Sequence, residues 1–357
     1  MNTLTRYLVV EIVRMSLFVL AALLGMFLFF EMINELNDLG QGTYSFGKML
    51  VFVLLESPSH AYEFMPIAAL IGGMVALSLL NQHSEFVVMR VGGLSIKKVL
   101  GILCFAGVLF AIATLLIGEY VAPNAERAAA EIKLAAKGQG ILQGYRSGFW
   151  FKGKDNFVNG EALPDKNLRR LDIYQFDGRR RLSAHTSAKR GVWQNEQHAW
   201  LLSDVTLTSF DDKGLHVSHL PTQIWESVLT RDTISGWLVQ PEKLSIANLM
   251  EYIDYLKESQ QKTSRYEIAL WTKLAYPFIC IAMLIIALPF AQTQRRAGGV
   301  GLKLFVGIML GLGFYFIDRL VANWGLLYDW SPVLSTTSPS VVLLVFALFL
   351  LWRQERR

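Results

Sequence analysis

Cysteine and charge are both scarce in this chain. Only Cys104 and Cys280 occur among 357 residues, and both stand in long apolar runs, so no disulfide framework holds the fold. Asp, Glu, Lys and Arg together make up 18%, against roughly 25% in soluble domains. What is abundant is apolar surface. Hydrophobic residues are 53%, and the 28 glycines bring that to about 61%, where roughly 45–50% is usual. Mean hydropathy is +0.35. An ordinary cytosolic enzyme, a disordered regulator and a disulfide scaffold are excluded. A net charge of +5 in a soluble protein would suggest nucleic acid. With this apolar excess it points to lipid instead, where basic residues gather in cytoplasmic loops, and no nucleic-acid partner is expected.

Crossing a hydrocarbon core of about 30 Å takes about 20 helical residues. Five runs meet that requirement: Val13–Phe30, Ala61–Leu80, Val99–Val121, Leu270–Phe290 and Val300–Val321. A sixth, Pro339–Trp352, is shorter, with Ser338 expected as its N-cap and Pro339 at its first helical position. Trp352 and Arg353 mark an interfacial end. The first run is no cleavable signal, because it is long and carries Glu11 and Arg14 at its entrance.

Orientation follows from the loops. Arg6 and Arg14 lie at the start, Arg90, Lys97 and Lys98 between spans two and three, Arg295, Arg296 and Lys303 between four and five, and Arg353, Arg356 and Arg357 at the close. The opposite loops carry only Lys48 and Arg319. The positive-inside rule therefore puts both termini in the cytoplasm and the long stretch between spans three and four outside.

That outer stretch has another character. From Phe149 to Leu238 it reads as short strands broken by turn signals such as Asp177-Gly178 and Asp211-Asp212-Lys213-Gly214, the pattern of an all-β sandwich or jelly roll. Helices flank it. Pro123–Lys137 is alanine-rich and stops at Gly138; Ser245 is placed to cap Ile246–Lys257, whose expected apolar face is Ile246, Leu249, Met250 and Ile253. The expected architecture is an α-helical membrane protein of six transmembrane helices with an inserted extracytoplasmic, jelly-roll-like β domain. Its divisions are residues 1–137 with a cytoplasmic loop at 81–95, residues 138–262, and residues 263–357.

Several motifs look chemical and are not. Gly42-Thr-Tyr-Ser-Phe-Gly47-Lys48-Met49 approaches P-loop spacing, but Met49 has no hydroxyl for magnesium and no strand precedes the run. It reads as the turn after span one. His216 and His219 fall on opposite faces of a strand, so no metal pair is expected. Gly144-Tyr-Arg-Ser147-Gly148 has the wrong spacing for a nucleophile elbow, and Arg179-Arg180-Arg181 reads as a hairpin tip. No catalytic constellation remains. Glu56, His60 and Glu63 would share one helix face as an intramembrane proton relay. The economical expectation is instead an outer interfacial helix over residues 47–60, broken near Pro58, with the acids in water. Small residues recur at Ala69, Gly72, Gly73 and Ala76, and at Gly307, Gly311 and Gly313. They suit either close packing within the chain or a subunit or gating interface.

The most informative stretch is Asn81-Gln-His-Ser84-Glu85-Phe86-Val87-Val-Met89-Arg90-Val-Gly92-Gly93-Leu-Ser95. Ser84 is expected to cap a short helix, Glu85 to sit favourably at its positive end, the glycines to stop it, and Ser95 to cap span three. A short amphipathic helix between spans is what a transporter needs to dock a cytoplasmic ATPase; a plain interfacial turn is the simpler reading.

At these residues the chain resembles the lipopolysaccharide export permeases of the LptF/LptG (YjgP/YjgQ) family, more closely the LptG branch. The likeness is carried by Pro66-Ile-Ala-Ala-Leu-Ile-Gly72, Ser84-Glu85-Phe-Val-Val-Met-Arg-Val-Gly-Gly93 and Gly118-Glu-Tyr-Val-Ala-Pro-Asn-Ala-Glu126. Leu244-Ser-Ile…Leu249…Tyr252…Leu256-Lys257 and Trp271-Thr-Lys…Pro277 add to it.

The resemblance implies an inner-membrane, non-hydrolysing subunit of an ATP-driven exporter of lipopolysaccharide. Its implied partners are the sister permease LptF, a dimer of the ATPase LptB that binds the ATP and magnesium, and the bridge protein LptC. It assigns ATPase coupling to Ser84, Glu85, Phe86, Val87, Met89 and Arg90, and a cavity gated by spans one and five, where Phe27, Phe30, Phe305 and Ile308 would meet acyl chains. Relatives can place lysines at the outer end of span one, whereas Glu31, Glu35, Asn37 and Asp38 stand here. Arg127, Lys133 and Lys137 are the alternative candidates for an anionic headgroup. A membrane-anchored envelope scaffold or sensor is the competing function, and an intramembrane hydrolase a weaker third.

Overall fold

The computed structural model describes residues 3–137, 149–152, 156–162, 167–177, 181–194, 197, 199–211, 214–226, 240–258, 261–292 and 300–355. The order begins with α1 (Thr3–Glu35), a 3-10 turn (Leu36–Asp38), α2 (Phe46–Gln82), α3 (Glu85–Val91) and α4 (Ile96–Leu116). A π turn (Ile117–Val121) joins α4 to α5 (Ala122–Lys137). The strands are β1 (Phe149–Lys152), β2 (Asn156–Ala162), β3 (Leu168–Phe176), β4 (Leu182–Gln194), β5 (Ala199–Asp211) and β6 (Gly214–Trp225). Then come α6 (Ile246–Glu258), α7 (Ser264–Gln292), α8 (Val300–Leu327) and α9 (Pro332–Glu355). Among the described residues six helices are long and apolar enough to cross a membrane, from α1, α2, α4 with α5, α7, α8 and α9. The expected class, six spans with an all-β insert, is what the chain forms. Gly138, Gly144–Gly148, Gly178–Arg180, Arg295, Arg296, Arg356 and Arg357 lie outside the described residues.

The chain forms two compact units. The first comprises Met1–Asn34, Val53–Glu126 and Ser264–Arg357. Its core joins Leu8, Ile12 and Leu20 of α1, Ala68 and Leu77 of α2, Leu103 and Ala106 of α4, and Leu284 of α7. A second cluster packs Leu70 and Met74 against Ile279, Met283 and Ala347, with Val306 and Leu310 of α8 beside them. α2 and α7 are mostly enclosed by the chain, whereas α1, α8 and α9 leave most of their apolar surface uncovered.

Glycines set how closely these helices approach. A Cβ on Gly72 would stand 2.3 Å from the Ser16 Cα of α1, and one on Gly73 would press on Leu284 at 2.8 Å. Gly307 and Gly311 meet Ile71 and Ile67 at 3.2 and 3.1 Å, while Gly313 meets nothing within 4 Å. Four of these glycines thus serve packing within the chain, which is where van der Waals contact must hold helices together in lipid.

Two helix boundaries depart from the sequence reading. α2 is one helix of 37 residues with Pro58 and Pro66 inside it, not an outer helix broken near Pro58. Proline at 58 leaves the Leu54 carbonyl without its backbone donor. The Ser57 hydroxyl donates to that carbonyl at 2.7 Å and replaces the bond. α9 begins at Pro332, seven residues before Pro339, which lies inside it. The Ser-Pro start signal is used at Ser331-Pro332 instead: the Leu334 amide donates to the Ser331 hydroxyl at 3.3 Å.

The second unit comprises Glu35–Phe52 and Arg127–Thr263. Its described strands form one antiparallel sheet in the order β1-β2-β3-β4-β5-β6, each bonded to its neighbours in sequence; a second facing sheet is not among the described residues. Val158, Leu168, Leu171, Ile173, Ala188, Trp200, Leu202 and Val205 are buried on it. Gly191 leaves room there: a Cβ would meet Leu168 and Leu202 at 3.3 Å and Trp200 at 3.6 Å. α6 starts as expected, with the Asn248 amide donating to the Ser245 hydroxyl at 3.2 Å. Its buried face is Leu249, Ile253, Tyr255 and Leu256, and Met250 is exposed. Leu256 extends the apolar stripe past Ile253 on that side of the helix, and Tyr255 is buried outside it.

Candidate functional site

The loop between the second and third spans folds as α3 framed by two turns. Ser84 occupies the N-cap position, but at φ 61 it is left-handed and its hydroxyl makes no capping bond, contrary to expectation. The turn is closed by backbone instead, with Ser84 N–H donating to Asn81 O at 3.1 Å. At the other end Gly92 N–H reaches Val88 O at 2.9 Å, and Gly93 at φ 96 takes the left-handed turn that a glycine accepts freely. Ser95 then caps α4 by accepting from the Lys98 amide at 3.3 Å.

α3 has an anchored side and an open one. Phe86 is buried in the same cluster as Leu8, Val9 and Ile12 of α1, and Met89 packs against that cluster. Val87 is half-buried. Val88 and Val91 are 69% and 86% exposed, and Arg90 is exposed beside them. Glu85 stands in the first turn, where its charge suits the helix dipole. It also has a partner within the chain: the Tyr7 hydroxyl of α1 donates to Glu85 Oε2 at 2.9 Å. Nothing in the local pattern signals this contact, because the two residues are 78 positions apart. His83 is exposed.

The lipid candidates are scattered. Phe30, Phe305 and Ile308 are exposed. Phe27 is half-buried and turned inward, its ring centroid 3.7 Å from that of His60 on α2. In the second unit, Arg127 is half-buried on α5. Lys133 is committed: its ammonium lies 2.5 Å from Glu35 and 3.4 Å from Asp38 and 4.5 Å above the Phe52 ring. The Tyr44 hydroxyl donates to the same Glu35 at 2.9 Å. The Lys137 side chain lies outside the described residues.

The sequence reading missed Lys273 inside the first unit and the Arg319 partner of Glu63. Lys273 of α7 is buried, donates to the Gly118 carbonyl of the π turn at 3.2 Å and lies 5.6 Å over the Tyr62 ring. Glu63 stands 3.7 Å from Arg319 of α8 and 3.7 Å from His60 Nδ1. The shared helix face of Glu56, His60 and Glu63 marked this position in the sequence, but not the approach of Arg319 from α8. Gly40 and Gly42 take left-handed turn conformations before α2. His219 bonds Thr206 at 3.1 Å. No group of three potential metal ligands gathers among the described residues.

The arrangement is a short helix fixed on one side to the membrane helices and open on the other, with a carboxylate at its tip. That suits transmission of force between a soluble partner and the spans. A family model described as lipopolysaccharide export system permease LptF/LptG matches residues 6–353. The chain is 31% identical over 345 residues to the lipopolysaccharide export system permease protein LptG of Escherichia coli, covering 96% of this chain and 95% of that protein. It is 29% identical over 357 residues to the LptG of Haemophilus influenzae, covering 99% of each. The match runs through the spans, the β insert and α3 alike, and the chain belongs to the LptF/LptG family of lipopolysaccharide export permeases.

Proposed function

We propose that this chain is the LptG-type permease subunit of an ATP-driven exporter that extracts lipopolysaccharide from the inner membrane and passes it to a periplasmic bridge. The observation that carries the reading is α3, with Phe86 holding it to the spans while Val88 and Val91 remain exposed beside Glu85. An uncovered apolar pair next to a carboxylate is the surface a partner covers. The partner is the LptB dimer, which binds ATP and magnesium and supplies the work. Ser84, Glu85, Phe86, Val87, Met89 and Arg90 form the coupling segment. LptF completes the cavity and LptC receives the lipid.

In this reading both termini are cytoplasmic and the β domain is periplasmic, with the division at residues 1–137, 138–262 and 263–357. Spans one and five form the gate. Their uncovered apolar surfaces, including Phe30, Phe305 and Ile308, support acyl contact, with Phe27 behind them. Arg127 and Lys137 stay candidates for headgroup phosphate. An anion at Lys133 would compete with Glu35 and Asp38.

Gentle-detergent purification with the sister permease tests the reading. A stoichiometric ATPase and ATP-dependent release of lipopolysaccharide from reconstituted vesicles are expected. Glu85→Ala should weaken that association and Glu85→Lys abolish it, since stranding a charge at such an interface costs about 2–5 kcal/mol, while His83→Ala leaves it intact. Recovery of a single envelope protein without ATPase would favour a scaffold and refute the exporter.

A further inference from the structure

We propose that Tyr7 is the positioning residue for Glu85 and the link through which load on α3 reaches span one. The inference rests on the coupling role of Glu85 proposed above. Its basis is the hydrogen bond from the Tyr7 hydroxyl to Glu85 Oε2 at 2.9 Å. A carboxylate has two oxygens with about four acceptor directions. Tyr7 occupies one direction and fixes the χ angles of a side chain that would otherwise sample several rotamers. Among the described residues Oε1 and the remaining lone pairs are left for a cation on the partner. Preordering in this way lowers the entropy that docking must overcome.

The bond also has a mechanical consequence. Tyr7 lies in the second turn of α1, beside Leu8 and Val9, which share a buried cluster with Phe86. α3 is therefore attached to α1 twice, by an apolar contact below and a charge-assisted hydrogen bond at the rim. Twenty and twenty-three residues further along the same helix stand Phe27 and Phe30. A helix transmits displacement along its axis because every turn is hydrogen-bonded to the next. A partner that takes hold of Glu85 thereby acts on span one without any contact of its own with that span.

The test is a double-mutant cycle in the assembled complex, reconstituted in vesicles. Tyr7→Phe removes only the hydroxyl. The expected result is a loss of about three- to tenfold in ATPase association or in lipid released per ATP hydrolysed, the usual net scale of one intramolecular hydrogen bond. In a Glu85→Ala background the same Tyr7→Phe change should have no further effect, because Tyr7 acts through Glu85. Two results overturn the inference: Tyr7→Phe indistinguishable from the parent while Glu85→Ala is impaired, or the two effects multiplying independently. If Glu85→Ala is itself without effect, the coupling reading fails and Tyr7 falls with it. Thermal unfolding of Tyr7→Phe should match the parent, and a fall comparable to the functional loss would assign Tyr7 to stability and refute positioning.

Discussion

Replacing Gly72 by alanine tests the packing of span one most directly. The new Cβ would lie 2.3 Å from the Ser16 Cα, 2.4 Å from its Oγ and 2.5 Å from its amide nitrogen. Carbon pairs rest at about 3.5–4.0 Å, so α1 must retreat by about 1.2 Å at this point. A gap of that size forfeits a quarter to a half of the dispersion well of each neighbouring contact. Lipid offers no hydrophobic compensation. The expected penalty is about 1–3 kcal/mol, as for overpacking elsewhere. Alanine also gains about 1 kcal/mol over glycine in helix propensity, which would mask part of it. Gly313→Ala separates the two, because a Cβ there meets nothing within 4 Å and receives the propensity gain alone. The measurement is the apparent Tm of both variants in one detergent at one scan rate, which respects irreversible unfolding. Gly72→Ala should melt below Gly313→Ala. Ser16→Gly should rescue it only in part, since the Cα and the nitrogen stay in place. Equal melting temperatures would refute the close α1–α2 contact.

Other consequences are quickly checked. Lys133→Met removes the cation between Glu35 and Asp38 and strands a buried carboxylate, so stability should fall by up to about 3–5 kcal/mol, and Glu35→Gln in the same chain should recover much of it. A photocrosslinker at Phe30 or Phe305 should capture acyl chains, whereas one at the buried Met283 should not; equal capture at all three would remove spans one and five from the lipid path. A topology reporter after Lys213 should read periplasmic and one after Arg90 cytoplasmic, and the reverse pattern would overturn the charge-based orientation.

The periodic features of this fold are local, and the sequence shows them. Spans follow from runs of about 20 apolar residues, the strands from β-branched segments between turn signals, and Ser95, Ser245 and Gly93 from capping chemistry. What stays hidden depends on residues far apart. The Ser84 position looks like a cap because serine commonly is one, yet the backbone closes that turn without the hydroxyl. Pro58 looks like a break because proline removes a donor, yet Ser57 supplies another to the same carbonyl. Two start signals of the same Ser-Pro type stand seven residues apart before the last span, and the helix uses the earlier one.

The charged residues are the hardest to read. Along the chain, Glu35 and Asp38 look like an obstacle to an anion and Lys133 like its receptor, 98 positions away from Glu35. In the fold they satisfy one another, with Tyr44 completing the shell of Glu35. Tyr7 and Glu85 behave alike, an interfacial aromatic and a helix-end acid that explain themselves locally and still meet. Both pairs sit where the first helix ends, one near its first turn and one at its last residue. A helix that leaves most of its apolar surface uncovered by the rest of the chain has few packing contacts along its length, so polar contacts at its ends carry more of its attachment. The Tyr7–Glu85 bond and the Lys133–Glu35 pair are the polar ties found at its two ends.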